Sequence, residues 1–286
     1  MKILHIGFGK AGSSFLQKKI FPLISKKFHI PIIDLNKLYS IKKDKKIEYH
    51  PLENENKIEM PNNFIITNEA LVGVGWEPYK YYRAFSENKR IFSKDTKVII
   101  YIRKPSEFLN SVYLQSIKLL NIKKESEYFI NEKDNFLKKN CYNVNGFSYL
   151  NLINLYKTYF ENVYFEKYEN INEFNIFKKI FDLNSEDVIF LQRQSEEIVN
   201  VSLSYMSVKI LFFLNYFFDL RKYDNFIRSR ISKDYNFKDK ILRNLMIRNI
   251  ITIINKIIPS RKYKISFKTF PIDISKLDKE YKDINI

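Results

Sequence analysis

Near the N-terminus, the run His5-Ile-Gly-Phe-Gly-Lys-Ala-Gly-Ser-Ser-Phe15 gathers groups suited to holding an anion. Gly7, Gly9 and Gly12 let backbone approach a ligand closely, Lys10 supplies a full positive charge, and Ser13 and Ser14 supply hydroxyl donors. The apolar run at 2–7 reads as a strand, and the stripe Phe15, Leu16, Ile20, Leu23 and Ile24 reads as a helix. The turn between them therefore opens a helix, whose free N–H groups and dipole favour negative charge. A ligand-free tight turn is the plainer reading, but the ordered strand and helix on either side argue against it.

The anion can be narrowed. A nucleoside-triphosphate loop reads G-x-x-x-x-G-K-[ST]. Gly7 and Gly12 keep that spacing, but Ser13 stands where the lysine belongs and the charge has moved upstream to Lys10. Such enzymes also close a later strand with an acid that helps to hold Mg²⁺. Here the β-branched run at 97–102 ends in Arg103, which suits phosphate and repels a metal ion. Both departures point to a phosphorylated nucleotide bound without Mg²⁺. The dinucleotide pattern G-x-G-x-x-G is formally met, with Asp34 as its acid, yet that loop needs neither Lys10 nor the serine pair.

The loop, with Phe21-Pro22 after it, resembles the 5′-phosphosulfate loop of sulfotransferases that use PAPS (3′-phosphoadenosine-5′-phosphosulfate), in particular bacterial and carbohydrate sulfotransferases. A second element, Val98-Ile-Ile-Tyr-Ile-Arg103-Lys-Pro105 followed by Ser111, is similar to the family's 3′-phosphate site. Weaker similarity lies in Tyr168-Glu169 and in Asn200-Val-Ser202, so the resemblance spans about residues 1–215. It implies that Lys10, Ala11, Gly12, Ser13 and Ser14 hold the 5′ end of PAPS and that Arg103 and Ser111 hold its 3′-phosphate. Phe15 matches the place of an aromatic that stacks on adenine, although a phenylalanine at a helix start is commonly core. The product would be adenosine 3′,5′-bisphosphate. The expected acceptor is a hydroxyl, or an amine, of a carbohydrate or glycolipid.

An attacking hydroxyl needs a general base. Glu69, just past the apolar run at 64–67, falls on the carboxyl edge of a strand, where parallel sheets bind ligands. It resembles the turn glutamate of carbohydrate sulfotransferases; the alternative is an acid favoured only by a helix dipole. His50 is the rival base, in a polar loop. His5 lies inside the first strand and His29 has no supporting context. Trp76, after Gly73 and Gly75, suits either a sugar-stacking platform or a core anchor.

These residues require a scaffold, and the chain supplies one. At 286 residues, 45% hydrophobic and 16% aromatic, it buries a full core. Strand-like runs at 2–7, 31–35, 64–67, 97–102 and 163–167 alternate with helical patterns at 105–117 and 146–160. That alternation predicts an α/β domain, three-layered and P-loop-like, with a central parallel sheet flanked by helices. One domain over 1–286 is expected: a nucleotide-binding core at 1–200, then a helical extension at 201–286. Within the extension, 202–220 and 238–257 read as helices and the segment after Pro259 stays open. Residues 36–62 read as an irregular excursion.

A single cysteine, Cys141, excludes an internal disulfide, and three scattered histidines offer no metal site. With no signal peptide and no apolar run of roughly 20 residues, the expected location is cytoplasmic. The net charge of +17 is spread along the chain, as a codon bias toward lysine would leave it. It still suits anionic ligands and leaves room for peripheral contact with an anionic membrane. No nucleic-acid partner is expected. An atypical P-loop kinase and a non-catalytic basic binding module are the competing readings.

Overall fold

The computed structural model describes residues 1–7, 10–33, 60–72, 81–118, 121–131, 141–144, 147–195, 203–218, 262–267 and 271–284. At its centre stand four parallel strands: β1 (Lys2–Ile6), β2 (Phe64–Asn68), β3 (Lys97–Ile102) and β4 (Asn162–Lys167), in the order β2-β1-β3-β4. Leu4 lies opposite Ile66 on one side and Val98 on the other, and Ile100 lies opposite Phe165. Successive residues of β1 and β3 are buried almost without a break, so both faces of these strands are covered. Near-continuous apolar runs, and not alternation, are what a parallel sheet under helices demands.

Around the sheet lie the helix α1, α2 (Tyr81–Ile91), α3 (Pro105–Lys118), α4 (Tyr149–Lys157), α5 (Asn175–Phe181), α6 (Ser185–Ser195), α7 (Tyr205–Phe218) and α8 (Ile274–Asp283). α1 opens α-helical at Ser13–Phe15, widens to a π-turn at Leu16–Ile20 and finishes α-helical at Phe21–Phe28. α3 buries Phe108, Leu109, Val112, Tyr113, Ser116 and Ile117, the face that its sequence periodicity predicts. Ser148 caps α4, accepting from the Asn151 N–H. Among the described residues no helix is long and apolar enough to cross a membrane.

The strand order positions the site. From β1 the chain moves to β2 on one side, then crosses back to β3 on the other. The carboxyl ends of β1 and β3 therefore form a topological switch point, where connections leave in opposite directions, the place at which parallel sheets commonly bind ligands. The loop ending in Ser13 follows β1, and Arg103 follows β3.

The structure differs from the sequence reading in several places. Residues 31–33 make a single parallel bridge, Ile32 to Ile65, and no strand; Pro31 lacks an N–H and contributes only its carbonyl, 2.8 Å from the Ile65 nitrogen. α2, α5, α6 and α8 were not anticipated, and a two-residue parallel ladder, Phe129–Ile130 with Tyr142–Asn143, adds a small second sheet. The segments 36–59 and 238–257, with His50, Asp34, Gly9 and Trp76, lie outside the described residues.

A buried polar tie holds the turn that carries Glu69. Asn88 of α2, fully buried, donates from Nδ2 to the Leu71 carbonyl at 2.8 Å and to the Tyr156 hydroxyl of α4 at 2.7 Å. Truncation leaves that carbonyl with less satisfaction in an apolar setting, so Asn88→Ala is expected to lower unfolding free energy by about 1–3 kcal/mol, read by urea denaturation.

Candidate functional site

The loop after β1 is shaped by two steric demands. A Cβ on Gly7 would sit 2.5 Å from Ser13 Oγ and 3.2 Å from the His5 ring, so only glycine lets the strand end lie against the first helical turn. Gly12 has φ +86°, and a Cβ there would meet Ile171 Cδ1 at 2.4 Å and the Tyr168 ring at 3.1 Å. Lys10 adopts φ 75°, a left-handed conformation that costs a lysine roughly 1–2 kcal/mol. The helix starts immediately, with the Phe15 and Leu16 nitrogens both 3.0 Å from the Gly12 carbonyl. The π-turn that follows is a deviation often found at functional sites.

The Lys10 side chain crosses to α3, where its ammonium donates to Gln115 Oε1 at 2.9 Å. Arg103 reaches the loop from the end of β3. Its Nη1 donates to the Lys10 carbonyl at 3.2 Å, its Nη2 donates to Glu107 Oε2 at 3.2 Å, and its guanidinium carbon lies 5.0 Å from the Tyr168 ring centre. Its Nε is buried without a hydrogen-bond partner. Glu107, Ser111 and Gln115 recur every fourth residue on α3 and so share one stripe. Because Glu107 meets Arg103 and Gln115 meets Lys10, Ser111 between them lies on the side of α3 that carries both contacts.

Glu69 opens the 3₁₀ turn after β2 (Glu69–Val72) and is half-buried. Burial pushes its carboxyl above the ordinary value, while the Lys10 charge and a hydrogen bond from Ser13 pull it back. Lys10 responds in kind: burial lowers its pKa, Glu69 opposes the change, and Arg103 adds to it. Lys10, Ser13, Glu69 and Arg103 thus form one interacting cluster, assembled from three strand ends.

Other expected residues fall as follows. Ala11 and Ser13 are buried and Ser14 is half-buried at the helix start. Phe15 is half-buried and packs against the core. His29 ends α1 at the helix terminus opposite the loop. His5 is fully buried beneath the loop, with Nδ1 2.7 Å from Thr67 Oγ1, Nε2 unpartnered, and its pKa pushed down to about 3 by burial. Sequence reading missed Gln115 and Glu107 as partners of the two cations; their spacing around Ser111 was the available signal. It also missed that Tyr168 packs under both Gly12 and Arg103.

The cluster sets a pH dependence. A carboxyl whose folded pKa is raised keeps its proton longer in the folded than in the unfolded chain, so ionising it costs stability as pH rises through that window. Glu69→Gln removes the cost. The stability of this variant relative to wild type should therefore grow as pH rises above the ordinary glutamate range, measured by urea denaturation at a series of pH values. In Lys10→Met the same window should shift to higher pH, because the charge that pulls Glu69 down is gone.

Comparison of the chain with family models, curated proteins and solved structures finds no match.

Proposed function

We propose that the chain is a PAPS-dependent sulfotransferase on a three-layer, P-loop-like fold, acting in the cytoplasm on a hydroxyl, or an amine, of a carbohydrate or glycolipid. The observation behind this reading is the pairing of Lys10 with Arg103 at the carboxyl ends of β1 and β3. The loop backbone binds the Arg103 guanidinium, whose Nε still lacks a partner. Two cations at one switch point, joined by a loop that Gly7 and Gly12 let pack closely against the helix start and Tyr168, suit a nucleotide with phosphate at both its 5′ and 3′ positions.

Each residue then has a task. The Gly12–Ser14 turn and the helix dipole hold the 5′-phosphate. Arg103, a planar donor suited to phosphate oxygens, holds the 3′-phosphate with Ser111. Lys10 leaves Gln115 and places its ammonium on the oxygen that bridges phosphate and sulfur. PAPS supplies an activated sulfuryl group whose charge is lower than that of a phosphoryl group, so lysine and backbone donors provide the stabilisation. Glu69 takes the proton of the acceptor hydroxyl as the new sulfur–oxygen bond forms, while the bond to the bridging oxygen breaks and adenosine 3′,5′-bisphosphate leaves.

Transfer of radiolabelled sulfate from PAPS to a panel of glycans and glycolipids tests this reading. Lys10→Ala is expected to lower turnover by about 10²–10³-fold, the scale of losing one donor to a developing oxyanion. Glu69→Gln should lower turnover by about 10²–10⁴-fold and keep affinity for adenosine 3′,5′-bisphosphate, as removal of a general base does. Unchanged turnover in Glu69→Gln removes that residue from the mechanism.

A further inference from the structure

The C-terminal helix α8 plays no part in the chemistry above, yet its polar side chains converge on the Arg103 corner. Asp278 accepts from the Ser106 backbone N–H at 3.0 Å and from Ser106 Oγ at 2.7 Å, and lies 3.7 Å from the Lys104 ammonium. Those groups form the first turn of α3, directly after Arg103. The Tyr281 hydroxyl donates to Glu169, and the Lys167 ammonium lies 5.2 Å from the Tyr281 ring centre. Glu169 follows Tyr168, whose ring carries the Arg103 guanidinium. Glu280 accepts from Ser148 Oγ at 2.8 Å, at the start of α4. The β3–α3 junction, the turn after β4 and the start of α4 all lie on the carboxyl edge of the sheet. α8 spans them, seated on its buried residues Ile274 and Tyr281, with Ile284 buried just beyond its end.

We infer that Asp278 and Tyr281 are positioning residues that present Arg103 to its ligand, an inference that rests on the nucleotide reading above. Asp278 fixes the start of α3 from one side, and Tyr281 fixes the Tyr168–Glu169 turn beneath the guanidinium from the other. Asp278 has a second consequence. The first turn of a helix offers free N–H groups and a positive dipole end that would draw a phosphate to itself. An internal carboxylate already takes the Ser106 donors there, which directs an incoming phosphate to the guanidinium. The C-terminal segment is then part of how the protein selects a 3′-phosphorylated nucleotide, acting through Arg103 and without touching the ligand.

Calorimetric titration of the full chain with adenosine 3′,5′-bisphosphate and with AMP, which lacks the 3′-phosphate, tests this inference. Wild type should prefer the bisphosphate. Asp278→Ala should weaken bisphosphate binding about tenfold, the scale of losing hydrogen bonds to a charged group, and leave AMP unchanged. Tyr281→Phe, which removes only a hydroxyl and serves if Asp278→Ala does not fold, should weaken the bisphosphate selectively and by less. In an Arg103→Ala background neither change should have an effect. Equal loss for both nucleotides, or a loss that persists without Arg103, would show that α8 only supports the fold and overturn the inference. A wild type with no preference for the bisphosphate overturns the nucleotide reading and this inference with it.

Discussion

The corner at the ends of β1 and β3 is governed by two cations that share a half-buried space. Lys10 and Arg103 each lose solvation there, and each is repelled by the other, which is why burial and Arg103 both drag the lysine toward its neutral form. Internal acids answer only part of this demand. Glu69 opposes the shift in Lys10, and Glu107, itself exposed, meets one arm of Arg103. An exposed ion pair of that kind contributes roughly 0–1 kcal/mol and yields readily to a competing anion. The buried Nε of Arg103 remains unmet. A pair of cations held this way, one of them met only by an exposed acid, is stabilised further by any ligand that brings two negative groups at the right separation.

The surrounding structure is built to maintain that arrangement. Glycine at positions 7 and 12 lets the strand end, the helix start and Tyr168 pack against one another without a Cβ between them. Lys10 accepts a left-handed backbone, and the Arg103 contact to its carbonyl helps to hold that strained residue in place. Tyr168 serves both halves, packing under the loop at Gly12 and under the guanidinium. Asn88 secures the turn that carries Glu69, as α8 secures the other side. These contacts lie within the chain itself, which is the condition for preorganised electrostatic stabilisation of whatever anion the corner receives.

Much of this was legible in the sequence, for identifiable reasons. The runs that became β1, β2 and β3 are apolar and rich in branched residues, so they announce strands wherever a buried parallel sheet is possible, whereas β4 is mixed in character and buries only Glu166 fully. The loop glycines, Lys10 and Arg103 were legible because their residue types depart from the nucleotide-loop patterns they otherwise follow. α2 was hidden by its polarity: Tyr-Tyr-Arg-Ala-Phe-Ser-Glu-Asn-Lys-Arg-Ile buries only Tyr81, Ala84, Phe85 and Asn88. α8 was hidden in the same way, with Ile274 and Tyr281 its only buried residues. The ties from Asp278 to Ser106 and from Lys10 to Gln115 join positions more than a hundred residues apart, which no local pattern encodes. Pro31–Ile33 shows the converse, a strand-like composition that makes a single bridge among the described residues.

On the proposed function, the corner is a receptor for a nucleotide phosphorylated at both ends of its ribose, with no divalent ion needed to bind it. Calorimetry of the wild-type chain with adenosine 3′,5′-bisphosphate and with ATP, each in EDTA and in Mg²⁺, tests this most directly. The bisphosphate is expected to bind more tightly than ATP, and equally in both buffers. ATP binding as tightly as the bisphosphate, or nucleotide binding that appears only with Mg²⁺, would contradict that reading.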